Sequence, residues 1–182
     1  MSARQTVNDR IREIDAVETE TQAHVFLHQG QIYCTGEPTV ISTVLGSCVS
    51  VCLWDPVQVA GGMNHFVLPG EAGSSGRYGD AAIDRLVEEM LQFGCRAENI
   101  EAKLFGGGSV LPITGSAAAI GSRNADSALA RLARWKLKVV ARDIGGTYGR
   151  FLRFDTATGV AMMRRLAKAG IAADAVSRPN AA

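Results

Sequence analysis

The sequence predicts a single α/β (α+β) layered sandwich, with mixed β-sheets and two main amphipathic helices. Three observations lead there. The N-terminal half holds short β-branched or aromatic runs broken by Gly, Pro and Asp, two later segments repeat apolar residues at helical spacing, and the connections between them are short. At 182 residues, 47% hydrophobic and 20% charged, the chain has the size and make-up of one globular domain.

Residues 1–22 are charged and weakly periodic, and read as a flexible or partly helical arm before a domain spanning 23–168. Strands are expected at Val25–His28, Ile32–Cys34, Thr39–Val44, Cys48–Trp54 and Gly61–Leu68. After the loop from Pro69 to Gly79, apolar Ile83, Leu86, Val87, Met90 and Leu91 recur at helical spacing, and Gly94 supplies a stop. Ala102–Phe105 reads as a strand running into Gly106-Gly107-Gly108. Ala125, Ala128, Leu129 and Leu132 mark a second amphipathic helix that ends near Trp135. Three strands follow, around Leu137–Arg142, Arg150–Phe154 and Val160–Arg165, before a loose tail over 169–182.

Composition narrows the function. Lys and Arg number 19 against 18 Asp and Glu, so no net field draws the chain onto nucleic acid or an anionic membrane. The longest nearly apolar stretch, Val44 to Trp54, is about half of what a bilayer-spanning helix needs. Met1 to Thr21 lacks the apolar core of a secretory signal, so a cytoplasmic protein is expected. Four scattered cysteines are too few for a disulfide scaffold, which makes reduced thiols the expectation.

The chemistry concentrates between Ile41 and Pro69. An antiparallel pair turning around Asp55–Gln58, with Trp54 opposite Val59, would set Cys48 opposite His65. Directly opposed residues hold their Cβ atoms roughly 4.5–5.5 Å apart, close enough for a thiol to meet an imidazole. A neighbouring imidazolium favours the thiolate, the reactive form of cysteine. Gly46 and Ser47 precede the cysteine and allow a sharp turn that presents N–H groups to a carbonyl under attack. Cys52 reads as a small core residue, and His24 and His28 as solvated or structural. A zinc site or disulfide using both Cys48 and Cys52 fails on a strand, where a four-residue offset separates the Cα atoms by about 13 Å. Gly106-Gly107-Gly108-Ser109 lacks the Gly-Lys-Ser/Thr ending of a phosphate cradle and reads as a tight loop at the edge of the site, and Gly145-Gly146 after Asp143 as a similar backbone device.

These residues resemble the CheD chemoreceptor glutamine deamidases. The resemblance rests on Leu45-Gly46-Ser47-Cys48-Val49-Ser50-Val51, Gly61-Gly62-Met63-Asn64-His65-Phe66 with Leu68-Pro69, and Arg77-Tyr78-Gly79-Asp80. It continues through Lys103-Leu104-Phe105-Gly106-Gly107-Gly108, Ile120-Gly121-Ser122-Arg123-Asn124 and Asp143-Ile144-Gly145-Gly146. It implies a catalytic Cys48 and His65, and a third, hydroxyl-bearing member six positions before the cysteine, Ser42, with the neighbouring Thr43 as the alternative. Gly46, Ser47, Asn64 and Gly107 are expected in the loops that meet the substrate and its oxyanion. The implied reaction is hydrolysis of glutamine side-chain amides to glutamate on methyl-accepting chemotaxis receptors, through a thioester and without metal or cofactor. Hydrolysis of receptor glutamyl methyl esters and binding to a CheC-type phosphatase are implied as well. Two other readings compete: a non-catalytic chemotaxis regulator that docks on receptors or on such a phosphatase, and a cysteine peptidase.

Overall fold

The computed structural model describes residues 22–70, 75–110 and 119–166. Apart from Gln22, the expected N-terminal arm lies outside those residues, as does the expected tail over 169–182.

Nine strands and two helices make up the described residues. In chain order they are β1 (Ala23–Phe26), β2 (Ile32–Thr35), β3 (Thr39–Leu45), β4 (Val49–Asp55), β5 (Ala60–Asn64), α1 (Gly79–Gln92), β6 (Glu101–Gly106), α2 (Ile120–Arg134), β7 (Lys138–Ile144), β8 (Gly149–Asp155) and β9 (Ala161–Leu166). The strands form a four-stranded sheet, β1-β3-β8-β9, and a five-stranded sheet, β2-β5-β4-β6-β7, each containing one parallel pair. The layered, mixed-sheet architecture expected from the sequence is the one found.

β4 runs through the middle of this arrangement. Its odd residues Val49, Val51 and Leu53 pack with Ile83, Leu86, Val87 and Met90 of α1 and with Ala128 and Leu132 of α2. Cys52, on the other face, joins Ile41 and Leu45 of β3, Met63 of β5, and Leu152 and Phe154 of β8 between the two sheets. Because both faces are covered, β4 is apolar on both faces apart from Ser50 and its last residue Asp55, rather than alternating.

Local chemistry ends the helices. Gly94 takes a left-handed φ of +82°, its N–H donates to Leu91 O at 3.0 Å, and the next N–H, of Cys95, donates to Met90 O at 3.2 Å. That closes α1 in a Schellman motif, as the glycine suggested. α2 ends the same way with Lys136 in the left-handed position, where the sequence offered no glycine to mark it.

The β4–β5 register differs from the expected one. Trp54 pairs with Gly61 and Asp55 with Ala60, so the loop is Pro56–Val59 rather than Asp55–Gln58. The cause is Asp55: its Oδ1 accepts from the N–H of Val57 at 2.8 Å and of Gln58 at 3.2 Å, which makes Asp55 the last strand residue and starts the turn one position later. The register therefore slips by two residues. An even slip preserves the face of every side chain, so Cys48 and His65 stay on the same side of the sheet.

Candidate active site

Cys48 lies where the chain leaves β3 in one sheet to enter β4 in the other. The Val49–Phe66 bridge continues the β4–β5 register beyond Asn64, which sets Cys48 opposite Val67 and His65 opposite Ser50. Cysteine and histidine are thus diagonal rather than direct neighbours, a relation with Cα atoms roughly 7–8 Å apart. Both are nearly buried, Cys48 at 8% and His65 at 4% exposure.

The hydroxyl on the imidazole belongs to Thr43. Thr43 Oγ1 lies 2.8 Å from His65 Nδ1 and 2.8 Å from the carbonyl oxygen of Leu27. Ser42, expected at this position, instead has its Oγ 3.3 Å from His24 Nε2. Strand parity explains the exchange. Ile41 and Leu45 point between the sheets, so Thr43 does too, whereas Ser42 and the exposed Val44 lie on the other face of β3.

The Thr43 bonds decide the tautomer. A hydroxyl has one proton, and the Leu27 carbonyl can only accept, so that proton is donated to Leu27. Thr43 Oγ1 must then accept from His65 Nδ1–H, which leaves Nε2 as the unprotonated nitrogen. Nε2 is buried and has no hydrogen-bond partner among the described residues. Burial also holds His65 below the ordinary imidazole range; the hydrogen bond at the Leu27 backbone opposes this, and the His28 charge acts with it. The Cys48 thiol is pushed up by burial, against the pull of its own backbone N–H. Both shifts favour the neutral thiol and the neutral imidazole over the thiolate and imidazolium. A base with a free lone pair beside a protonated nucleophile is suited to removing the proton as attack occurs.

The cysteine loop is clamped through its carbonyls. Asn124, fully buried at the start of α2, donates from Nδ2 to Ser47 O at 2.9 Å and to Val67 O at 2.8 Å, tying the turn before Cys48 to the chain just past His65. Gly107 N–H donates to Cys48 O and Gly108 N–H to Gly46 O, both at 2.8 Å. Gly106 and Gly107 have φ of +113° and +66°, and a Cβ on either would collide with backbone, of Cys48 for the first and of Gly121 for the second. By contrast, the N–H groups of Ser47 and Cys48 donate to no carbonyl of a described residue.

The other residues expected to face substrate divide accordingly. Gly46 and Ser47 form the turn itself. Gly107 spends its N–H on the cysteine carbonyl and so supports the turn rather than facing an oxyanion. Asn64 is fully buried and accepts the Val51 N–H on Oδ1 at 2.9 Å, filling a gap in the ladder on the helix side of the sheet. Two supporting residues were not among the expected site residues. Asn124 leads the buried stripe that continues through Ala128 and Leu132, so a polar residue on an apolar helical face was the available signal. Arg150 shares strand parity with Leu152 and Phe154 and is fully buried. Its guanidinium meets Asp143 Oδ1 at 2.5 Å, donates to Gly145 O at 2.7 Å and stacks 4.4 Å from the centre of the Tyr148 ring. This holds Gly145–Gly146 so that Gly145 N–H donates to Gly106 O and Gly146 O accepts from Ser109 N–H, bracing the glycine run from behind.

His65 opens into a depression of about 440 Å³ whose walls include Leu27, Gln29, Thr43, Val44 and Arg77. Gln29 Nε2 lies 3.9 Å from Cys48 Sγ.

The family model described as CheD chemotactic sensory transduction matches residues 67–165. A protein of Trichlorobacter lovleyi named probable chemoreceptor glutamine deamidase CheD is 45% identical over 143 residues, which cover 77% of this chain and 89% of that protein. The probable chemoreceptor glutamine deamidase CheD 1 of Anaeromyxobacter dehalogenans is 46% identical over 147 residues, covering 80% and 86%. The crystal structure of Bacillus licheniformis hypothetical protein YfiH aligns with a TM-score of 0.48 and 14% identity over 78% of this chain and 69% of that one, too distant to inform the site.

Proposed function

The chain belongs to the CheD family, and on that premise we propose that it is a chemoreceptor glutamine deamidase in which Cys48 is the nucleophile, His65 the base and Thr43 the residue that positions His65. The observation that carries the residue assignment is the Leu27–Thr43–His65 chain of hydrogen bonds. It leaves Nε2 with a lone pair on the face of the sheet that bears Cys48.

In the proposed reaction Nε2 takes the thiol proton as Sγ bonds to the amide carbon, and the carbonyl π pair moves onto oxygen. When the carbonyl re-forms, the C–N bond breaks and the leaving nitrogen takes the proton from His65, departing as ammonia. Water, deprotonated by the same nitrogen, then cleaves the thioester to glutamate and restores the thiol. Protonated His65 stays anchored throughout, because Nδ1–H keeps its acceptor. The gap between a diagonal cysteine and histidine closes when substrate enters, as catalytic hydrogen bonds are often long in free enzymes.

The substrates in this reading are glutamines on the cytoplasmic part of methyl-accepting receptors, which puts the protein in the cytoplasm. Among the described residues no helix is long and apolar enough to cross a membrane. Partnership with a CheC-type phosphatase and hydrolysis of receptor methyl esters extend the same proposal. The test is mass spectrometry of a recombinant receptor cytoplasmic fragment incubated with wild-type protein and with Cys48→Ala. The expected result is glutamate in place of glutamine with wild type alone. Unchanged glutamine with wild type, equal conversion by the variant, or cleavage of the receptor backbone would each overturn the proposal.

A further inference from the structure

We propose that Gln29 completes the oxyanion hole, its side-chain N–H stabilising the tetrahedral intermediate together with the backbone N–H of Cys48; this rests on Cys48 being the nucleophile of the function proposed above.

The argument begins with what the carboxamide touches. Gln29 is exposed as a residue, yet Nε2 turns inward to lie 3.9 Å from Cys48 Sγ, the single hydrogen-bonding contact of that side chain among the described residues. At 3.9 Å the contact is too long to be a strong hydrogen bond to a thiol. It is, however, the right standoff for a group that must reach past the sulfur. When Sγ bonds to the amide carbon, the negative oxygen sits one further bond away, and its donors must lie about 2.7–3.1 Å from that oxygen rather than from the sulfur. Among the described residues Nε2 has no other acceptor, and the N–H of Cys48, which faces its own thiol, donates to no carbonyl. These donors come from different parts of the chain and converge on the same sulfur.

Gln29 is also held where such a group needs to be. It lies within a tight turn in which His28 N–H donates to Gln31 Oε1 at 2.7 Å, Gln31 N–H donates to His28 O at 3.1 Å, and Gly30 has φ +82°. The turn is bonded directly to the histidine backbone: Gly30 N–H donates to His65 O at 2.7 Å and His65 N–H to Gln31 O at 3.0 Å. The turn that carries the donor is therefore tied to the backbone of the base. A preorganised donor acts mainly on the transition state and so on kcat, with little effect on substrate binding. During attack the electron pair of the carbonyl bond collects on oxygen between Nε2–H and Cys48 N–H, and it returns to re-form the carbonyl as ammonia leaves. Gln29 gains and loses no proton.

The experiment measures kcat and KM for glutamate formation on a recombinant receptor cytoplasmic fragment by wild type, Gln29→Ala, Gln29→Met and Gln29→Glu. Gln29→Met keeps the length of the side chain without a donor, and Gln29→Glu replaces the donor with a carboxylate. All three should lose about 10²-fold in kcat, Gln29→Glu the most, with KM changed by less than about threefold. The thermal midpoint should stay at the wild-type value, because an exposed side chain is altered. A kcat within about threefold of wild type in Gln29→Met, a loss confined to KM, or a rate increase that marks the carboxamide as a plug would each overturn the assignment while leaving the deamidase reading intact. Inactive wild type, or Cys48→Ala as active as wild type, would instead remove the function on which it rests.

Discussion

At its C-terminal end β4 turns into β5 through a hairpin held by its own carboxylate, Asp55. At its N-terminal end the chain arrives from the other sheet and is held by Asn124 of α2, by the glycines after β6 and, through them, by Asp143 and Arg150. The two cysteines of this region follow the contrast. Cys52, inside the strand, is fully buried with its thiol pushed far up by desolvation, while Cys48, at the crossing, keeps some exposure, and the N–H groups of Ser47 and Cys48 donate to no carbonyl of a described residue. The hairpin is a local solution to a local problem. The crossing ties down carbonyls from several elements and, among the described residues, leaves two N–H groups without a carbonyl acceptor, the opposite of what a strand would do with them and the arrangement an oxyanion needs.

The sharpest way to break this comparison is at the hydroxyl. Thr43→Val keeps the shape of the side chain but removes the acceptor for Nδ1–H. It should lower kcat about 10²-fold, at the low end of what general-base catalysis contributes. Ser42→Ala should remain near wild type in kcat. Equal losses in the two variants would mean that the crossing does not position the base as described. Next in size, Asn124→Ala removes the donor to two part-buried carbonyls and should cost about 1–3 kcal/mol in denaturant unfolding, accompanied by a fall in kcat. Loss of stability without loss of activity would make Asn124 a packing residue only.

The pH profile sharpens the same contrast. Because burial holds His65 below its ordinary value, it remains an unprotonated base to lower pH, so the acid limb of kcat/KM should have its midpoint below 6.5. Its linkage to folding has the matching sign: this contribution to stability is complete above the unfolded pKa near 6.5 and fades as pH falls below it. An acid midpoint above 6.5 would contradict a neutral, buried base. Smallest is a change at the hairpin. Val59 is a β-branched residue with φ +51° and 47% exposure, so Val59→Gly should relieve strain and raise stability by about 1 kcal/mol without altering activity.

Much of the scaffold was legible because its signals are local. Ile83, Leu86, Val87 and Met90 bury one face of α1, Gly94 caps it as expected, and each strand read from β-branched runs overlaps a strand in the fold. The alternation Ile41, Thr43, Leu45 held the information that separates Thr43 from Ser42, since residues two apart share a face. Asn124 and Arg150 were visible as polar residues at apolar positions, but what they bond to could not be read from their neighbours. Even the β4–β5 register, missed by two positions, kept its faces because the slip was even.

By itself, then, the sequence determined the elements, their buried faces and the pairing of a cysteine with a histidine on one side of a sheet, all consequences of side-chain spacing within a few residues. Only the tertiary structure decided which hydroxyl fixes the tautomer, which carbonyls Asn124 holds, and that the Gln29 amide stands over the sulfur. Those contacts join groups 16 to 77 residues apart, and no local pattern records a distance that is set by how two sheets and a helix pack.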